Sequence, residues 1–385
     1  MKKILKLNAI SSLTNEILTP KYDYSDSVDN PHGIILRSFK MHDYEVKDNL
    51  LAIARAGAGV NNIPVDKMTE KGIVVFNTPG ANSNAVKELV LAAMLMSSRK
   101  INEGIEWVKT LNGNEDVAKA VEKGKAQFVG PELSGKTLGV IGLGAIGAKV
   151  ANAAVELNMT VLGYDPYISV DAAWKLSRSV IHAKDVDDMV SKCDYITIHM
   201  PYLPSTKDFI NAERISLCKD GVKIINLARG ELVNNEAIIA AVKSGKVGKY
   251  FTDFPCNELM GIDNIILCPH LGASTPEAED NCAKMAAEEL DDYLTTGNIT
   301  NSVNFPNVKV PFISKHRITV VHKNITNMIN MATKPLSEAG INISNMTSVS
   351  KGDMAYMIMD VDDDVPASVI DELSKTEGLV RIRLI

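Results

Sequence analysis

Short runs of branched apolar residues alternate with stretches whose apolar positions recur every three to four residues, a strand-and-helix rhythm that persists over most of the chain. In residues 1–95 the strand-like runs fall at 4–7, 33–36, 52–54 and 74–75, separated by polar or amphipathic segments. That repeat predicts a small doubly wound parallel sheet without a glycine-rich loop. Residues 84–100, NAVKELVLAAMLMSSRK, read as a helix with Glu88 early and Arg99-Lys100 late, the sense a helix dipole favours. Further strands are predicted at 137–141, 159–163, 195–199, 222–227, 248–253 and 264–267, with helical patterns after 147 and at 235–243. Six strands in that order fit the two halves of a dinucleotide-binding sheet. Residues 277–295 form a long amphipathic helix, and the proline- and asparagine-rich stretch 297–311 reads as a linker. Beyond it, strands at 317–321, 342–350, 354–360 and 380–385 and helices at 326–339 and 366–374 give a β-α-β-β-α-β order, the ferredoxin-like arrangement. The polar stretch 101–131, with Trp107, belongs to neither core and is read as an arm toward a second subunit.

Composition narrows this picture little. A chain of 385 residues, 45% hydrophobic and 23% charged, suits a globular protein of two or three domains. A net charge of −6 gives no reason to expect nucleic acid or an anionic membrane as partner. No apolar run approaches the roughly 20 residues of a membrane span. The five cysteines are scattered without metal-type spacing, so the chain reads as reduced and cytoplasmic, with no metal site. Methionines 94, 96, 354, 357 and 359 read as core filler.

The chemistry starts at GLGAIG, residues 142–147, which stands between a predicted strand and a predicted helix, with Asp165 closing the next strand. In that context Gly142 makes the tight turn, Gly144 admits a pyrophosphate to the backbone, and Gly147 lets helix and strand pack closely. The anion then lies on a helix N-terminus with unpaired N–H groups. Asp165 accepts hydrogen bonds from ribose hydroxyls and repels an additional phosphate there, which predicts NAD over NADP. Three further clusters end predicted strands: NLARG at 226–230, DFPCNE at 253–258 and PHLG at 269–272. In an open α/β sheet all three gather at the C-terminal strand edge, where ligands bind. One histidine after a strand is more often structural than catalytic; His199 is read so, whereas His270 shares its predicted edge with Arg229 and Glu258.

GLGAIG, the following YDP, NLARG, DFPCNE and CPHLGAST resemble, in order and spacing, the D-2-hydroxyacid dehydrogenases. ARAGAGVNNI at 54–63 and NTPGANSNAVKEL at 77–89 are similar to the 3-phosphoglycerate-specific branch of that family, and the tail resembles an ACT regulatory domain. The resemblance implies a Rossmann NAD domain (96–276) inserted in a flavodoxin-like substrate domain (1–95 and 277–305), followed by an ACT domain (312–385). It implies oxidation of a phosphorylated 2-hydroxy acid by a homodimer or homotetramer. Roles and physical chemistry agree. His270 is the base for the hydroxyl proton. Glu258 fixes its tautomer and stabilises the imidazolium, as the acid of a hydrolytic triad does. Arg229 clamps the substrate carboxylate with a planar guanidinium. By family position, Asp253 contacts the nicotinamide carboxamide, and Thr78, Ala145, Ile146, Met200, Leu227, Ala228, Gly272 and Ala273 line the cofactor cleft. Arg55 matches the substrate-phosphate contact, with Arg37, Ser38 and Asn77 in the same pocket. His322, Asn324 and Asn342 fall where serine-inhibited relatives bind L-serine, although Ile325-Thr326-Asn327 stands where those relatives have Pro-Gly. Two other readings are a glyoxylate/hydroxypyruvate or other 2-hydroxyacid reductase and, from another class, an NADH-sensing corepressor-like protein.

Overall fold

Residues 1–385 are described here by a computed structural model, and the chain divides into two compact units, Met1–Ala81 with Pro276–Ile385, and Asn82–Thr275. The first unit opens with β1 (Lys3–Leu7), β2 (Asp23–Ser25), β3 (Gly33–Leu36), β4 (Ala52–Arg55) and β5 (Val74–Phe76). They pair in parallel in the order β2-β1-β3-β4-β5, the flavodoxin-like winding. β3 is buried along its whole length, as a parallel strand covered on both faces should be, and the helix Pro276–Thr296 supplies part of that cover. The edge strand β2 was not predicted, because three residues with a single aromatic carry no readable alternation.

The second unit holds β6 (Thr137–Ile141), β7 (Thr160–Tyr164), β8 (Ile181–His182), β9 (Tyr195–Ile198), β10 (Val222–Asn226), β11 (Val247–Thr252) and β12 (Ile265–Leu267). The sheet is parallel throughout, in the order β12-β11-β10-β9-β6-β7-β8. The chain winds outward from β6 to β8 and then returns to β9 on the other side of β6, which makes the β6/β9 boundary the switch point where a ligand crevice opens. Seven strands stand where six were predicted; β8 is two exposed residues and left no hydrophobic signal. The helix Ser83–Ser98 belongs to this unit, burying Val86, Val90, Ala93 and Met94 against Leu138, Val140 and Val150. Residues 101–131 contain the helices Ile101–Lys109 and Val117–Gly124, neither with a buried residue. An ion pair between Glu103 and the nearly buried Lys249 of β11 ties the first of them to the sheet.

The tail forms an antiparallel sheet of β13 (His316–Lys323), β14 (Ile343–Lys351), β15 (Met354–Val361) and β16 (Leu379–Leu384), ordered β14-β15-β13-β16. With helices Met328–Glu338 and Ala367–Ser374 it has the predicted β-α-β-β-α-β order. One face of the sheet packs under those helices, while Val321, Tyr356 and Ile358 of the other join the core of the first sheet's unit. The stretch 297–311 is therefore no exposed linker. Ile299, Phe305 and Val308 are buried there, and Ile299 bridges Val308. The fully buried Arg317 fastens it: Nε and Nη2 donate to Asp360 at 2.6 and 2.9 Å, and further N–H groups reach the carbonyls of Thr296, Val310 and Pro311. Every polar group in that cluster is paired, the condition under which a buried charge is tolerated.

Candidate active site

Three side-chain-free positions shape the loop after β6. Gly142 has φ +88°, and a Cβ there would come within 2.8 Å of the His199 backbone. At Gly147 a Cβ would lie 1.9 Å from the Gly142 carbonyl oxygen, so only glycine lets the helix Ala145–Glu156 start this close to the strand. Gly144, by contrast, faces open space and caps that helix. An open cradle lined by a helix N-terminus is what a pyrophosphate requires. Asp165, at the end of β7, accepts from the amides of Leu143 and Tyr167, each at 2.9 Å. Its carboxylate thus braces the loop. His199 Nε2 bonds to Thr197 Oγ1 at 2.9 Å, while its shielded Nδ1 has no partner. Burial pushes this imidazole down to about 3, so it is neutral and backs the loop structurally. Ala145, Ile146 and Met200 flank this same turn of chain.

The edges of β10, β11 and β12 carry the remaining groups. Buried Asn226 donates to the Arg229 carbonyl at 2.8 Å and accepts from the Ala228 amide at 3.2 Å, folding Leu227–Gly230 back on the strand. Arg229 emerges exposed from that turn, its Nη1 on the Ala228 carbonyl at 2.6 Å. Asp253 is fully buried at the end of β11, and neither carboxylate oxygen has a well-formed hydrogen bond, the Gly272 amide and its own being the donors nearest to it. Burial raises its pKa, against the opposing pull of the His270 charge. The fit to a nicotinamide cofactor rests on these two observations, an open cradle at Gly144 and a buried acceptor at Asp253. Gly272 lies beside it, where a Cβ would make ordinary contact with Asp253 Oδ2 at 3.6 Å, and Ala273 follows.

His270 is exposed just beyond β12, its ring 4.7 Å from that of Phe254 at 56°. Glu258 differs from its sequence reading: no hydrogen bond joins it to His270. It sits exposed on the turn Asn257–Leu259, and the Cys256 thiol beside it holds its carboxyl below the usual range. Asp253 is the acid on which a His270 charge acts, opposing the rise that burial gives its pKa. Phe254 and Asn226 stand within the DFPCNE and NLARG clusters, but the sequence reading gave neither a role. Asn226 was findable as a polar residue closing an apolar strand; nothing in the sequence places Phe254 against residue 270.

In the other unit, Arg55 ends β4 with Nε donating to the Arg37 carbonyl at 3.0 Å, and Asn62 donates to the same oxygen at 3.2 Å. Arg37 pairs with Glu279 at 2.7 Å, and Ser38 is exposed beside it. Asn77 donates to the Ala58 carbonyl at 2.6 Å, and buried Thr78 hangs by its amide from the Gly57 carbonyl at 3.1 Å. In the tail, His322, Asn324 and Asn327 line a cavity of about 620 Å³ with Thr333, Ser348 and Ser350. Asn342 lies outside it, bonded to Asp362 at 2.7 Å. Asn327 adopts φ +70°, ψ 2°, supplying the left-handed residue for which glycine was expected.

Residues 91–272 match the profile of the D-isomer specific 2-hydroxyacid dehydrogenase, NAD binding domain. The D-3-phosphoglycerate dehydrogenase of Methanocaldococcus jannaschii is 38% identical over 270 residues, 69% of this chain and 49% of that protein. D-3-phosphoglycerate dehydrogenase 1 of Saccharomyces cerevisiae is 30% identical, covering 95% of this chain and 81% of its own length. The chain thus spans about half the length of several relatives and most of the yeast protein. Among solved structures, an NAD+-bound 3-phosphoglycerate dehydrogenase of Entamoeba histolytica is 25% identical with a TM-score of 0.60, covering 79% of this chain and 98% of its own. The D-mandelate dehydrogenase of Rhodotorula graminis shares the fold at a TM-score of 0.68 and 21% identity, over 80% of this chain and 99% of its own. The chain belongs to the D-isomer specific 2-hydroxyacid dehydrogenase family and carries that family's NAD-binding domain.

Proposed function

We propose that the protein oxidises 3-phosphoglycerate to 3-phosphohydroxypyruvate with NAD, the first step of phosphorylated serine biosynthesis. The observation that carries this reading is the set of Arg229, buried Asp253 and His270 on adjoining strand ends of the sheet that bears the dinucleotide loop. NAD, when bound, accepts the hydride that leaves C2. His270, exposed at the edge, takes the proton from the C2 hydroxyl. Arg229 holds the substrate carboxylate and polarises the C2 oxygen through its planar donors. Asp253 offers its buried oxygens to the carboxamide N–H groups. Glu258 turns from Cys256 to the second nitrogen of His270, since catalytic hydrogen bonds often close only when substrate is bound. Arg55 binds the substrate phosphate, with its backbone partner Arg37 holding the side chain in place. The test is His270→Ala, expected to lower turnover at least about a hundredfold; a rate near that of the unaltered enzyme would refute the assignment.

The tail is read as an ACT domain with L-serine as its effector. Support comes from the cavity of about 620 Å³ and from His322, whose Nδ1 lies 2.7 Å from the Lys323 carbonyl while its buried Nε2 has no partner. With Nδ1–H donating to that carbonyl, Nε2 is an acceptor suited to an ammonium group. Millimolar serine should slow NADH oxidation and raise the melting temperature; if it changes neither, the regulatory reading fails.

A further inference from the structure

We propose that Phe254 is a positioning residue that sets the orientation of His270; this rests on His270 being the base. An exposed histidine has little to fix its second side-chain torsion, which is broad and roughly two-fold. Here the imidazole lies against the Phe254 ring, planes tilted by 56° and centroids 4.7 Å apart, within the contact distance of aromatic pairs.

Phe254 is itself held firmly. Its amide donates to Thr252 Oγ1 at 3.2 Å, and Thr252 and Asp253 immediately before it are fully buried. On its other side stands Gly230, where a Cβ would come within 3.3 Å of the Phe254 Cβ. Gly230 directly follows Arg229. The ring therefore spaces two functional strand ends, the turn that carries Arg229 and the segment that carries His270. A side chain without a flat face would leave the imidazole free to rotate away from the hydroxyl it must deprotonate. Small displacements of a reacting group are costly, with about 1 Å worth about a hundredfold in rate.

The experiment is a double-mutant cycle on the full-length enzyme with phosphohydroxypyruvate and NADH. Phe254→Leu should lower kcat roughly 10- to 100-fold, with KM for phosphohydroxypyruvate, NADH affinity by fluorescence titration and melting temperature nearly unchanged. Phe254→Tyr keeps the ring and should restore most of kcat. In a His270→Ala background, Phe254→Leu should have no further effect, because residues acting through one group are not additive. A Phe254→Leu enzyme with unaltered kcat overturns the proposal, as does equal impairment by Leu and Tyr or full additivity with His270→Ala. If His270→Ala alone turns over normally, the base assignment has failed; if it is inactive while Phe254→Leu is unimpaired, only the positioning role has.

Discussion

Glu289 sits buried in the helix Pro276–Thr296 with Asn301 donating to Oε1 at 2.7 Å and Oε2 unpartnered. Burial lifts its pKa to about 8, so the folded protein holds a proton that the unfolded chain releases near the ordinary carboxylate value. Between those two pH values the folded state binds more protons, and stability falls as pH rises through that window, levelling off above it. Melting temperature should therefore decline from pH 6 to pH 9, and Glu289→Gln should flatten that decline; an identical slope in the variant would contradict it. This residue was illegible in sequence, one acid in a helix rich in acids. Arg229 and His270 were legible because they close apolar strands with polar chemistry. The different settings of the two acids were not, since only the fold buries Asp253 and leaves Glu258 exposed.

At the scale of elements, the unit from β6 through the glycine loop to β7 was readable almost to the residue. Gly142 and Gly147 answer steric demands that no other residue meets, and β6 is a buried apolar run. Strands β2 and β8 escaped because they are short edges, and 297–311 misled because its prolines and asparagines surround apolar residues that are buried. Asp165 braces this loop, its two oxygens accepting the Leu143 and Tyr167 amides. Asp165→Asn should reduce the preference for NAD over NADP and also lower stability by about 1 kcal/mol, the usual worth of a lost hydrogen bond. Cofactor KM ratios and denaturant melts measure both. An unchanged preference would mean that the carboxylate does not reach the ribose.

Across the molecule, the residues proposed for hydride transfer and those proposed for an effector lie on different sheets, while the tail sheet shares a core with the sheet that carries Arg55. Arg317, Arg381 and Arg383 reinforce that junction through carbonyls of 296–311, Leu50 and Tyr293. The tail is thus continuous with the unit to which a phosphate-binding role is assigned. Nothing in sequence periodicity announced that shared core, because burial of one sheet face looks the same whatever covers it. The central claim is that this family scaffold acts on a phosphorylated substrate through Arg55. It is tested by kcat/KM for NADH-dependent reduction of phosphohydroxypyruvate, hydroxypyruvate and glyoxylate, in the unaltered enzyme and in Arg55→Ala. The account predicts a strong preference for phosphohydroxypyruvate that collapses in Arg55→Ala while the other two substrates are barely affected. Equal rates on all three, or equal losses in the variant, would contradict it and favour a general 2-hydroxyacid reductase.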